Sequence, residues 1–203
     1  MTPSDANKRA AAAPLDRETI ARVRRRDPQA MEKFFDLYYD RLFGHVARLV
    51  GNVHLAEDLT HDVFLRLNRV LDRLDPERDP TAWVFTVATN VVRDHWRSRG
   101  HKDTARGTEL TGAHLEVLAD EADDAEAQLT RRQEQERVRQ ALTELSDDDR
   151  EVILLRDFED LDSGTVGDIL GLKADAVRQR HKRAVGRLGQ AFRKQLDQDG
   201  AAP

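Results

Sequence analysis

SGTVGDILGLKADAVRQRHKRAVGRL, Ser163 to Leu188, begins with small and apolar residues and ends strongly basic. Val166, Leu170, Leu172 and Val177 are spaced as the apolar contacts of two short helices that cross steeply. Gly167 supplies a small residue at the contact and Gly171 a residue suited to the turn. Ser163 is expected to cap the first helix. In the second, Val177, His181, Ala184 and Leu188 recur at helical spacing and predict the inward face. Arg178, Gln179, Lys182 and Arg183 then share an outward patch. Arginine can fork onto guanine, glutamine onto adenine, and lysine onto guanine or phosphate, so the pattern points to a helix that reads DNA. The plain alternative is a solvated basic helix. His181 stands where an apolar residue would be simpler and reads as a histidine at the core edge. Gly167 and Gly186 are each expected to weaken their helix by about 1 kcal/mol relative to alanine.

Between Val177 and Leu188 there are four arginines, one lysine, one histidine and no acid, yet the whole chain carries a formal charge of −5. The positive charge is therefore segregated. The chain has 203 residues, room for one large domain or two small ones, and no cysteine, which excludes disulfides and thiolate metal sites. No apolar run is long enough to span a bilayer and MTPSDANKRAAAAP has no apolar signal core, so a soluble, cytoplasmic protein without membrane insertion is expected. Aromatic and β-branched residues do not alternate as in strands, and the fold class expected is all-α.

Cap signals lie close together along the chain. After a disordered tail over 1–14, Asp16 can cap a helix running to about Arg26. Asp27-Pro28 opens a long helix that Gly51 closes, and Asn52 caps one from about His54 to Leu74. Asp79-Pro80 starts a fourth, ending near Gly100. From Glu109 to Glu126 there are seven acids and no lysine or arginine. That composition predicts a flexible acidic linker over 101–123, whose specific contacts, if any, the sequence leaves open. A helix from Gln128 to Leu145 follows, then one capped by Ser146 and containing EVILLRDF. Two small helical domains, 15–100 and 124–196, are therefore expected, with a short tail from 197.

In the first domain, Leu55, Leu59, Val63, Leu67, Val70 and Leu74 form an apolar row. Asp58, Asp62, Leu65 and Arg69 form its neighbour, with Glu57 and His61 further round. An acidic ridge edged by leucine suits docking on a basic partner helix, and a solvated face with local ion pairs fits the spacing equally well. His54, His61, Asp58 and Asp62 also invite a metal-dependent hydrolase reading, but no converging ligand set is recognisable. In PTAWVFTVATNVVRDHWRSRGHK, Trp83, Val84, Val87, Ala88 and Val91 are expected inward. Thr86, Asn90, Arg93 and Arg97 form a polar, basic row that could hold DNA. From Arg93 to Arg106 the local charge is +3, from five basic and two acidic residues.

AEDLTHDVFLRL, AWVFTVATNVVRDHWRSR and ALTELSDDDREVILLRDFEDLDSGTVGDILGLKADAVRQRHKRAVGRL together resemble the extracytoplasmic-function sigma factors of bacterial RNA polymerase. The resemblance runs from about Leu15 to Phe192, with the motifs in the family's order and spacing. It implies that 15–100 is similar to sigma region two and 124–196 to region four. Glu57, Asp58, Asp62, Leu65 and Arg69 match positions that dock on the β′ clamp helices. Asn90, Arg93 and Arg97 match positions near the minus-ten element, and Leu74 to Pro80 the loop that captures a flipped base. Arg178, Gln179, Lys182 and Arg183 match recognition-helix positions facing the minus-thirty-five element.

The implied partners are core RNA polymerase, through the β′ clamp helices and the β flap, promoter DNA, and an anti-sigma factor. No catalytic site, cofactor or metal is expected. Leu55 stands where the family often has an acid, His61-Asp62 where it has Gln-Glu, and Ser163 to Gly167 where it shows Tyr-Ala-Glu-Ile-Ala. A stand-alone helix-turn-helix regulator is the alternative, though no dimerisation helix is left over once both domains are assigned.

Overall fold

Short polar side chains decide where these helices begin. The computed structural model describes residues 15–100 and 125–199, with side chains over 15–98 and 134–197. The expected tail over 1–14 and the whole of the acidic linker expected over 101–123 lie outside the described residues. The elements are α1 (Arg17–Arg24), α2 (Pro28–Val50), α3 (Val53–Arg69), α4 (Thr81–Gly100), α5 (Ala125–Thr143), α6 (Asp147–Ile153), α7 (Ser163–Leu170) and α8 (Ala174–Asp199). No strand occurs among the described residues.

Asp16 accepts the N–H of Thr19 at 2.7 Å, Asp27 that of Ala30 at 3.1 Å, Asn52 that of Leu55 at 2.9 Å and Asp79 that of Thr81 at 2.7 Å. Each satisfies a donor that a helix start leaves unpaired. Pro28 opens α2, where its missing N–H is no loss, and Gly51 closes it in the left-handed region at φ 68°.

Several boundaries differ from expectation. α1 ends at Arg24, because Arg26 turns left-handed at φ 59° and donates to the Asn68 carbonyl at 3.0 Å. α3 ends at Arg69, and a 3-10 turn over Leu71–Arg73 carries the chain on so that Leu71 and Leu74 still reach the core. α5 stops at Thr143 and α8 runs on to Asp199, past the tail expected from 197. The cap of α7 is Asp162, which accepts from Gly164 and Thr165 N–H at 2.7 and 3.1 Å, while Ser163 is the first helical residue.

Phe34, Tyr38, Leu42, Val46 and Leu49 of α2 pack with Leu59, Val63 and Leu67 of α3 and with Val84, Phe85, Ala88 and Val92 of α4. Trp83 and Val87, expected inward, are only half-buried; Phe85, Thr89 and Val92 are the more deeply enclosed. Tyr38 Oη lies 3.0 Å from Thr81 Oγ1, so the start of α4 is tied to the middle of α2. Burial raises the Tyr38 hydroxyl to about 12.

EVILLRDF is not one uniform helix. α6 gives way to a π turn over Leu154–Phe158, in which the Glu159 N–H donates to the Leu154 carbonyl at 3.0 Å. A wider turn rotates the following side chains relative to a regular helix. Asp157 meets α8, while Phe158 and Glu159 meet α2.

The two modules are packed on each other. α4 lies against α7, α2 against the π turn and α6, and one continuous apolar cluster includes residues of both modules. Arg150 reinforces the contact from inside, donating to the carbonyls of Leu142 and Thr143 at the end of α5 and of Leu145 just beyond it. A further hydrogen bond, 2.9 Å long, reaches the Leu49 carbonyl at the end of α2.

Candidate nucleic-acid and polymerase interface

The basic helix α8 is held from beneath. Val177 and Ala184 are fully buried and Leu188 partly so, as the spacing predicts. Arg178, Gln179, Lys182 and Arg183 are all exposed on the opposite side, with Arg178 paired to Asp175 one turn earlier. Arg180 and Arg187 belong to a different face, bonded back to Asp148 and Asp149 of α6. The positive stretch thus divides into residues that fasten the helix and residues that face outward.

His181 lies on the inward side as expected, but it is no passive core-edge residue. Its Nε2 is 2.9 Å from each carboxylate oxygen of Asp157, so it ties α8 to the π turn. Gly167 has an equally specific reason. A Cβ there would lie 2.5 Å from the Leu172 carbonyl oxygen, closer than real Cβ atoms come. The glycine allows the turn between α7 and α8 to fold back onto α7, and Gly171 makes that turn at φ 71°. Its weak helix propensity is outweighed by this close approach. At Gly186 a Cβ would meet nothing within 4 Å.

Glu57, Asp58, Asp62 and Arg69 are exposed along one side of α3, and Leu65 is 43% exposed beside them. His54 Nδ1 is 3.4 Å from Glu57, which leaves the pair at the start of this ridge. Among the described residues there is no group of three or more His, Cys, Asp or Glu that could hold a metal ion. Next to the ridge the sequence reading missed an aromatic patch. Phe35 and Tyr39 of α2, 39% and 44% exposed, stack on Phe64 of α3 with ring centroids 4.1 and 5.9 Å away. The signal was the doubled pattern FFDLYY, Phe34 to Tyr39, in which Phe34 and Tyr38 take the core and their neighbours are left outside.

The polar row of α4 is divided by its partners. Asn90 is exposed. The Thr86 hydroxyl donates to the Ala82 carbonyl at 2.7 Å. Arg97 is exposed and pairs with Asp94, which also receives Arg66 of α3 at 2.8 Å. Arg93 instead reaches into the other module and forks onto Glu151, Nε to Oε1 at 2.9 Å and a terminal nitrogen to Oε2 at 2.5 Å. Glu151 is 1% exposed. Burial raises its carboxyl above the usual range against the pull of Arg93, while the hydrogen bond to Glu151 makes Arg93 hold its proton more tightly. Glu159 is raised by burial in the same way, against the charge of Arg41, whose Nε is 3.2 Å away.

Comparison with known proteins places these modules. Residues 34–102 match the family model Sigma-70 region 2, and residues 135–188 match Sigma-70, region 4. The chain is 30% identical over 186 residues to the ECF RNA polymerase sigma factor SigW of Bacillus subtilis, covering 89% of this chain and 96% of that one. To the RNA polymerase sigma factor CarQ of Myxococcus xanthus it is 31% identical over 159 residues, covering 78% and 87%. Among solved structures, CnrH in complex with the cytosolic domain of CnrY is similar at a TM-score of 0.64 and 25% identity, over 91% of this chain and 98% of that one. The sigma factor RpoE bound to the anti-sigma factor NepR from Bartonella quintana shares the fold, with a TM-score of 0.64 at 21% identity over 80% of this chain and 96% of that one.

Proposed function

The chain belongs to the extracytoplasmic-function sigma factors, and from that premise we propose that it binds core RNA polymerase and directs initiation at its own promoters. The observation that carries the reading is the match of both sigma regions, in order, to two helical modules with opposite surface chemistry. Region two presents acids and an exposed leucine on α3, which suit a basic helical partner such as the β′ clamp helices. Glu57, Asp58, Asp62, Leu65 and Arg69 carry that contact in this reading, and the neighbouring Phe35 and Tyr39 add apolar area. Region four presents Arg178, Gln179, Lys182 and Arg183 on an exposed helix face, which suits the major groove of the minus-thirty-five element. Asn90, Arg93 and Arg97 of α4 hold the minus-ten element.

Catalysis belongs to the polymerase, and the chain contributes recognition without chemistry of its own. It acts where the polymerase is, and no helix among the described residues is long and apolar enough to cross a membrane. CnrH is seen bound to the cytosolic domain of CnrY, and that likeness supports an anti-sigma factor as a further partner here.

The test is run-off transcription from candidate promoters with purified core enzyme. Promoter-specific transcripts that need the added chain are expected. Specific initiation no greater with it than without it refutes the proposal.

A further inference from the structure

The basic helix α8 is braced from two directions within region four. Arg180 reaches Asp148 at 2.9 Å and Arg187 pairs with Asp149, both acids belonging to α6. On the inward face, His181 Nε2 meets both oxygens of Asp157 at 2.9 Å. An ionised carboxylate only accepts, so Nε2 carries the proton and donates. Helical spacing puts Arg180 and Arg187 on one flank of His181, and Arg178 and Lys182 on the other. The neighbours of His181 on the inward face, Val177 and Ala184, are buried but small and apolar. Such contacts hold a helix down without fixing its roll, because they carry no direction. A hydrogen bond does carry one.

Asp157 reaches α8 because the chain makes a π turn there. The wider turn closes with the Glu159 N–H on the Leu154 carbonyl at 3.0 Å. Arg156 clamps the exit by donating to the Leu161 carbonyl at 2.8 Å. In a regular helix the Asp157 side chain would point elsewhere.

We infer that His181 is a positioning residue for promoter readout: through Asp157 it fixes the roll of α8 and so aims Arg178, Gln179, Lys182 and Arg183 at the base edges of the minus-thirty-five element. The inference rests on the proposed role of that outward face and adds what sets its aim. Side chains end about 5–6 Å from a helix axis, so a roll of about 10° moves them by about 1 Å. A fork seated on a base edge tolerates less than that. Contacts from flexible side chains to phosphate tolerate more, and they carry no sequence information. Loss of the brace therefore removes sequence discrimination before it removes affinity.

The test uses the holoenzyme and two duplexes. One carries the minus-thirty-five element of a promoter that the holoenzyme transcribes, and the other has the base pairs of that element exchanged. The ratio of the two affinities measures discrimination. His181→Leu and Asp157→Ala are each expected to lower that ratio about tenfold, the contribution of one well-aimed fork on a base. The double variant is expected to lower it no further than either single change, because both remove the same contact. His181→Gln, whose amide nitrogen can still donate to Asp157, is expected to keep most of the ratio. Asp157 is exposed, so its substitution keeps the experiment decisive even if α8 tolerates leucine poorly.

A ratio that stays at the wild-type value while both affinities fall together overturns the inference, since it marks a structural contact or a histidine that touches phosphate. Single effects that add in the double variant overturn it as well. Failure of the proposed function is distinguishable, because then the wild-type holoenzyme itself does not discriminate between the duplexes.

Discussion

Replacing His45 by leucine should flatten the dependence of region-two stability on pH. His45 is 1% exposed, its ring meets the edge or face of Phe85 at 5.1 Å and 87°, and neither ring nitrogen has a hydrogen-bond partner. Burial lowers its pKa to about 3, with Arg48 and Arg41 adding to the effect, against 6.5 for an ordinary histidine. Between those values the unfolded chain binds a proton that the folded chain refuses. The stability tied to a neutral His45 is therefore complete well above pH 6.5 and is lost as pH falls below it. Each unit in that window costs about 1.4 kcal/mol, so going from pH 7.5 to 5 removes about 2 kcal/mol.

Stopping at pH 5 keeps the folded histidine neutral throughout. Buried carboxyls such as Glu151 respond in the opposite sense but are common to both proteins, so the difference between wild type and His45→Leu isolates this residue. Urea unfolding followed by tryptophan fluorescence suits the measurement, because Trp83 and Trp96 both lie in α4 of region two. The stability of His45→Leu relative to wild type should rise by about 2 kcal/mol over that range. Parallel pH profiles would falsify the reasoning, since they would mean that His45 reaches water or a partner in the folded chain.

Three further outcomes are expected. Gly167→Ala should destabilise region four by about 1–3 kcal/mol in thermal unfolding, because its methyl group must push away the Leu172 carbonyl. Arg150→Ala should cost more, about 3 kcal/mol, since it strips hydrogen bonds from the carbonyls of Leu142, Thr143, Leu145 and Leu49 together; urea titration followed by circular dichroism measures it. Lys182→Ala and Arg183→Ala should each weaken holoenzyme binding to a minus-thirty-five duplex. If the residue contacts phosphate, its loss should also reduce the salt-dependence slope by about one, whereas a base reader should instead relax sequence preference.

Much of the fold was legible because capping is local. Asp16, Asp27 and Asn52 each bond to an N–H three residues ahead, and Asp79 to one two residues ahead, so their meaning is contained in the immediate sequence. The outward face of α8 was legible for a similar reason. Once Val177 and Ala184 face inward, helical geometry leaves Arg178, Gln179, Lys182 and Arg183 outside. Local rules failed at two places. Ser163 is a sound cap by type, yet Asp162 took the position, and EVILLRDF has a helical pattern broken by a π turn.

The sequence by itself determined an all-helical chain of two sigma modules, with acids on α3 and positive charge on α8, since periodicity and caps act over a few residues. Only the tertiary structure decided what the charges do. Arg93 and Glu151 are 58 residues apart, Arg41 and Glu159 118, and His181 and Asp157 24. No periodicity links such pairs. The first two form because burying apolar surface between α2, α4, the π turn and α7 carries Glu151 and Glu159 into a medium where an unpaired charge is costly.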